Sequence, residues 1–79
     1  MELKENEIVY KFSNKGVRKM YVKENDGIYI KLVDIKKREP VEIEYPINHV
    51  ELNFVGRTHE ECVNNTLAAI KRLAAIKLY

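Results

Sequence analysis

Regular alternation of apolar and polar residues, interrupted by two Asn-x-Gly triplets, most constrains how this chain can fold. From Glu7 to Val55 the residues follow the two-residue period of strands that bury one face. The triplets Asn14-Lys15-Gly16 and Asn25-Asp26-Gly27 favour tight hairpins between such strands. The pattern predicts five strands: Ile8–Ser13, Val17–Lys23, Ile28–Ile35, Val41–Tyr45 and His49–Val55.

The register of the first three strands follows from the length of the two loops. If each triplet is a three-residue loop, Tyr10 faces Met20 and Met20 faces Leu32, which gathers apolar side chains on one face. A two-residue loop in the second hairpin would instead mix apolar and charged side chains. The three-residue form ends on a left-handed residue, which Gly16 and Gly27 supply. We therefore predict an antiparallel meander.

One helix is predicted after Gly56. Thr58-His59-Glu60-Glu61 fits a capping box, so the helix should run from about His59 to Lys77. At about 100° per residue, its apolar side chains span an arc of about 180°, wider than the roughly 100° stripe of a surface helix. An arc of this width is too wide for a coiled-coil seam, and the polar face of the helix has too few Lys and Arg residues for a membrane-surface helix. The apolar surface beyond what is needed to pack on the sheet predicts a contact with a second subunit or another protein at Leu73, Ile76, Leu78 and Tyr79.

Length and composition complete the predicted fold class. Seventy-nine residues make a single domain, 1–79, and 46% hydrophobic with 33% charged residues is a globular composition. The class is α+β: an antiparallel meander of four to five strands with one C-terminal amphipathic helix packed on one face. The single cysteine, Cys62, rules out an internal disulfide and favours a cytoplasmic protein. No membrane segment is predicted, and the residue usage suggests a bacterial or phage source.

The outer face of the meander is the main predicted binding surface. Formal charge is uneven along the chain: +4 in residues 1–38, −5 in residues 39–61 and +3 in residues 62–79. Lysines and tyrosines of the first three strands should share the face away from the helix, as single-strand nucleic-acid binders combine the two. Strand propensity and solvation explain the same residues equally well, and an acidic protein partner is a further possibility. The predicted residues are Lys11, Lys19, Tyr21, Lys23, Tyr29 and Lys31, with Val9 beside them and Arg18, Lys36, Lys37 and Arg38 as an extension.

Site chemistry is otherwise sparse. Four acids, at Glu39, Glu42, Glu44 and Glu51, are expected on the outer face of the last two strands as a solvated surface. His49 and His59 are isolated, and Cys62 falls on the apolar side of the helix, so we predict no metal site, no cofactor and no catalysis. A small-molecule site between sheet and helix is the third possibility.

Two segments resemble HicB-type antitoxins. YVKENDGIYIKL (Tyr21–Leu32) is similar to their first hairpin, and VGRTHEECVNNTLAAI (Val55–Ile70) is similar to their strand-to-helix junction. The matching positions are Gly56, Thr58, Glu60, Glu61, Asn65 and Ala69. The chain departs from the family by an additional leading strand and by the absence of the proline-glycine segment after the hairpin. The resemblance covers about a third of the chain, implies a module that binds and masks another protein, and assigns no functional residues.

Together these features predict a small non-catalytic interaction module, a regulator or inhibitor that binds another protein or itself. The alternative is a nucleic-acid-binding protein that uses the lysine and tyrosine face.

Overall fold

Five strands form one sheet in the spatial order β4-β3-β2-β1-β5, and every neighbouring pair is antiparallel. The structure is a computed structural model that describes residues 2–35 and 40–77, with side chains described up to residue 74. The predicted fold class is confirmed: β1 to β4 form the meander, β5 pairs with β1, and the helix packs against the sheet. The elements are β1 (Ile8–Ser13), β2 (Gly16–Asn25), β3 (Tyr29–Asp34), β4 (Val41–Pro46), β5 (Val55–Gly56) and α1 (His59–Lys77).

The first hairpin turns at a glycine, as predicted, but its register is shifted by one residue. Gly16 has φ +99°, the left-handed conformation expected for it. Ser13 pairs directly with Gly16, so Val9 rather than Tyr10 lies opposite Met20. Because side chains alternate along a strand, this one-residue shift exchanges the two faces of β1 relative to the prediction.

The second hairpin keeps the predicted faces although the predicted partners are wrong. Gly27 has φ +84°, and Val22 pairs with Leu32 rather than with Ile30. A bulge at Lys23 absorbs one residue between the Val22 and Glu24 pairings. The outer face therefore still carries Tyr21, Tyr29 and Lys31 together, and it also carries Ile8, Tyr10, Phe12, Lys19, Glu42 and Glu44.

The inner face of the sheet carries the core. Its buried cluster consists of Leu3, Val9, Met20, Val22, Ile30, Leu32 and Val55, with Ile43, Tyr45 and Leu52 partly buried against it. Burying a Val, Leu or Ile side chain contributes roughly 1.5–3 kcal/mol, so these few residues supply most of the stability of so small a domain.

A crossover replaces the predicted fifth strand. Val50–Phe54 form a 3-10 helix, and only Val55 and Gly56 pair with β1, so the strand predicted at His49–Val55 is wrong. The chain must pass from β4 at one edge to β1 at the other, and it does so over the inner face, where Leu52 packs onto the core. The His49 side chain caps the 3-10 helix by accepting a hydrogen bond from the Glu51 amide at 3.1 Å.

The start of α1 is fixed by a cap and by a glycine. Thr58 Oγ1 accepts a hydrogen bond from the Glu61 amide at 3.0 Å, which confirms the predicted cap. A Cβ atom on Gly56 would lie 2.2 Å from the Cys62 amide nitrogen, so the first turn approaches β5 too closely for any other residue. The helix contacts β1, β5 and the 3-10 helix, and it buries Cys62, Thr66 and Ala69.

The segment before β1 closes the open side of the core. Leu3 is buried, and its carbonyl oxygen accepts a hydrogen bond from Asn25 Nδ2 at 2.6 Å. Glu7 accepts a backbone hydrogen bond from Val22 and forms an ion pair with Arg57. These contacts hold the segment to β2 and to the loop before α1.

Candidate interaction surfaces

Five of the six predicted sheet-face residues lie on the outer face. Lys19, Tyr21, Tyr29 and Lys31 occupy outward positions in the ladders of β2 and β3. Lys23, at the bulge, is exposed and forms an ion pair with Glu42 of the same face. The structure thus brings these five residues together as predicted.

Lys11 is the exception. It was predicted to face outward opposite Lys19, but it points to the inner face and is only 8% exposed. Its ammonium group lies 2.9 Å from Glu51 Oε2 and 5.8 Å from the centre of the Tyr45 ring. The register shift in β1 is the cause, and it also turns Val9 inward. Glu51 was likewise predicted on the outer face and lies on the inner side, because it belongs to the crossover.

The outer face is less basic than its lysines suggest. Lys23 pairs with Glu42, and Lys31 lies 3.7 Å from Glu24 and directly opposite Glu44 in the ladder. The hydrogen bond from Lys23 holds the pKa of Glu42 below its usual value, and the same bond raises the pKa of Lys23. Both side chains are therefore charged together near neutral pH, and their charges cancel on this face. Glu39 and the predicted extension at 36–38 lie outside the described residues.

A row of apolar side chains on β1 completes the outer face. Ile8 is 41% exposed and Phe12 is 40% exposed, with half-buried Tyr10 between them. The Tyr10 ring meets the His59 ring edge-on at 6.2 Å between centroids. Sequence reasoning missed this row because it assigned Ile8 and Tyr10 to the core. The signal was present, since counting Asn14-Lys15 alone as the loop gives the observed register.

A second apolar surface lies on α1. Leu67 is 52% exposed, Ile70 50% and Leu73 44%. Leu67 and Ile70 belong to the wide apolar arc that was predicted to pack across the sheet, so their exposure differs from the prediction. Small residues explain the difference, because the helix meets the sheet through Cys62, Thr66 and Ala69 and leaves the larger side chains outside. Of the predicted partner contacts, Leu73 is exposed as expected. Ile76, Leu78 and Tyr79 have no described side chains.

The inner face ends in a cluster of ion pairs beside the first hairpin. Arg18 Nη2 lies 2.8 Å from Asp34 Oδ2, next to the Lys11–Glu51 pair. A cleft of about 240 Å³ opens there, and it is also lined by Lys15 and Ile43. Each buried carboxylate faces a cation, so the cluster neutralises the polar end of the core face.

A larger cleft separates the N-terminal segment, the crossover and α1. Its volume is about 360 Å³, and Leu3 and Leu52 form part of its wall beside Asn53, Asn65 and Arg72. Of the polar groups in this wall, Asn65 Nδ2 already donates a hydrogen bond to the Val55 carbonyl oxygen at 3.0 Å. The cleft lies between sheet and helix, where the small-molecule alternative would place a ligand, and that alternative stays a prediction.

Cys62 is fully buried, as predicted. Its Sγ atom lies 3.2 Å from the Phe54 carbonyl oxygen, and burial raises the pKa of the thiol, which disfavours the reactive thiolate. In residues 2–35 and 40–77, no group of three or more His, Cys, Asp and Glu side chains is placed to hold a metal ion. Within the same ranges, no helix has the length and apolar content needed to cross a bilayer.

No protein-family model, curated protein or solved structure matches the chain. The resemblance to HicB-type antitoxins therefore stays a prediction, and the surfaces described above carry the functional argument.

Proposed function

We propose that the protein is a non-catalytic interaction module whose outer sheet face binds another protein. Its chemistry is that of a protein interface: a row of aromatic and aliphatic side chains on β1, with mutually neutralised charges beside it on β2, β3 and β4. Tyrosines are enriched among residues that dominate binding energy, and Tyr10, Tyr21 and Tyr29 share this face with Ile8 and Phe12.

The observation that carries the proposal is the outward row of Ile8, Tyr10 and Phe12. The three side chains form one continuous exposed row, because β1 turns Val9 and Lys11 inward, and a contiguous exposed apolar patch is typical of an interaction site. A standard interface takes about 800 Å² from each partner, about one seventh of the accessible surface of 5818 Å².

Nucleic-acid binding remains the alternative, and the ion pairs make it the weaker one. Of the three lysines on the outer face, Lys19 alone has no ion pair within the described part of the chain. Binding through phosphates would require Lys23 and Lys31 to exchange Glu42 and Glu24 for the ligand. That binding would weaken steeply with salt and with Lys19→Glu, whereas a protein contact through apolar side chains would not.

The resemblance to HicB-type antitoxins supports the same general role, a module that masks another protein. We place it in the cytoplasm, where its single thiol would stay reduced. The partner is then a protein with an apolar surface bordered by charges of both signs.

A capture experiment from lysate of the source organism tests the proposal. Phe12→Glu inserts a charge into the outer row, and Ile28→Glu is the matched control because Ile28 is 66% exposed in the second hairpin loop. We expect wild type and Ile28→Glu to retain one partner in stoichiometric amount and Phe12→Glu to lose it, with all three equally folded by circular dichroism. If wild type retains no stoichiometric partner, or Phe12→Glu retains it equally, the proposal is wrong.

A further inference from the structure

The exposed apolar stripe of α1 is a surface separate from the outer sheet face. At about 100° per residue, Val63, Leu67, Ile70 and Ala74 fall within an arc of about 60°, and the buried Cys62, Thr66 and Ala69 lie beside it. Among the helix residues with described side chains, up to residue 74, Leu67 and Ile70 are the most exposed large apolar ones. The stripe is therefore presented to solvent by the way the helix packs, and no lysine, arginine or acid interrupts it.

Charge is distributed along this stripe in a self-complementary way. Glu60 and Lys71 lie on the same edge of the stripe, within about 20° of each other around the helix. Glu60 is in the first turn and Lys71 is about 16 Å further along the axis. If a second helix lies antiparallel, Glu60 of each helix lies near Lys71 of the other. The two helix dipoles then also point in opposite directions, which is favourable. In a parallel second copy Glu60 and Lys71 of the two helices lie on opposite flanks at different heights, so neither acid meets a lysine.

We propose that the stripe binds a second copy of this chain, with the two α1 helices antiparallel and Leu67 near the two-fold axis. In this arrangement Leu67 packs against Leu67 of the second copy, and Ile70 packs against Val63 of the second copy. Glu60 then lies within about 5 Å, measured along the axis, of Lys71 of the second copy, a gap that a lysine side chain spans. The contact is isologous, so it closes at two subunits and does not form filaments.

The size of the stripe sets the strength of this dimer. Four side chains on one helix supply less than the roughly 800 Å² that each partner gives to a standard interface. A contact of this size belongs to the weak, transient class, so we expect dimer and monomer to exchange. The dimer contact is made by side chains of α1 and the outer row by side chains of β1, so the two proposed contacts rest on different residues.

Sedimentation velocity on the whole chain, from about 1 to 500 µM, tests the dimer. We expect a reversible monomer–dimer equilibrium for wild type and at least tenfold weaker association for Leu67→Glu. Lys71→Glu and Glu60→Lys should each weaken it several-fold, and an equimolar mixture of these two variants should associate better than either alone. Arg72→Glu is the matched control, because Arg72 is exposed on the opposite side of the helix, and it should stay within twofold of wild type.

Two results would overturn the proposal. Wild type that stays monomeric throughout would show that the stripe does not bind a second copy. Association that is unchanged in Leu67→Glu, or in both charge variants, would place the contact elsewhere or make it parallel. Thermal unfolding of each variant checks that a loss of association is not a loss of fold. The outer sheet face is tested independently through Phe12→Glu, so the two proposals can fail separately.

Discussion

The buried ion pair between Lys11 and Glu51 gives the sharpest stability prediction. Lys11 is held on the inner face by the register of β1, and Glu51 reaches it from the crossover. The side chains are unequally buried, since 10% of the lysine and 38% of the glutamate is exposed. Removing one partner should therefore have a different effect from removing the other.

The change in the free energy of unfolding depends on which charged group remains without its partner in each variant. Glu51→Ala leaves an ammonium group that keeps only a 3.5 Å contact to the Phe12 carbonyl and the Tyr45 ring at 5.8 Å. Leaving a buried charge in this state costs about 2 kcal/mol. Lys11→Met keeps the apolar stem and leaves Glu51 hydrated, so the free energy of unfolding should change by less than about 1 kcal/mol. In the double variant no charge is stranded, so its stability should be close to that of Lys11→Met.

Urea unfolding of wild type, Glu51→Ala, Lys11→Met and the double variant completes a double-mutant cycle. We expect a coupling energy between the two sites of about 2 kcal/mol and a melting temperature for Glu51→Ala lower by roughly 8–16 °C. If Lys11 were on the outer face, all variants would lie within about 0.5 kcal/mol of wild type. That result would refute the inward placement of Lys11 and with it the outward placement of Phe12.

Three further predictions concern other contacts. Gly56→Ala should lower the free energy of unfolding in urea by about 3 kcal/mol, because the new Cβ atom would meet the Cys62 amide nitrogen at 2.2 Å. A change below about 0.5 kcal/mol, the size typical of a surface substitution, would contradict the close approach. Thr66→Val should be neutral or stabilising by up to about 1 kcal/mol, because within the described residues the buried Thr66 hydroxyl has only the Cys62 thiol, a weak hydrogen-bonding group, beside it; a clear loss of stability would indicate a stronger bond to that hydroxyl. The pKa of Glu7 is lowered from its usual 4.5 by the hydrogen bond from the Lys4 amide and then by Arg57, so its contribution is present above about that pH and is lost as pH falls. Glu7→Gln should accordingly show a shallower loss of stability between about pH 5 and pH 3 than wild type, and equal slopes would exclude this role.

Much of the fold could be predicted because its signals are local. The alternating pattern, the two glycine turns and the Thr58 cap each depend on neighbouring residues, and each is found in the structure. The faces of β2 and β3 were correct for the same reason, since Val22 lies between Tyr21 and Lys23, and Ile30 lies between Tyr29 and Lys31.

The errors arise where a local pattern fits two arrangements. In β1, Ile8 and Tyr10 are as suited to a core as Val9, and the loop count decides between them. Val50 and Leu52 alternate like strand residues, but the chain between β4 and β5 must cross the sheet, and a topology of this kind leaves no local signal. An exposed apolar surface on α1 was predicted at Leu73, but the exposure of Leu67 and Ile70 was not, because the small residues Cys62 and Ala69 are the ones that the helix buries. Their size determines which larger side chains stay outside.

Interstrand NOE contacts between β1 and β2 test most directly whether β1 turns Val9 inward and leaves its apolar row on the outer face. We expect Val9 to show contacts across the ladder to Met20, and Tyr10 to Lys19. Contacts of Tyr10 to Met20 together with Ile8 to Val22 would contradict this arrangement, because they would bury the apolar row and return Lys11 to the surface.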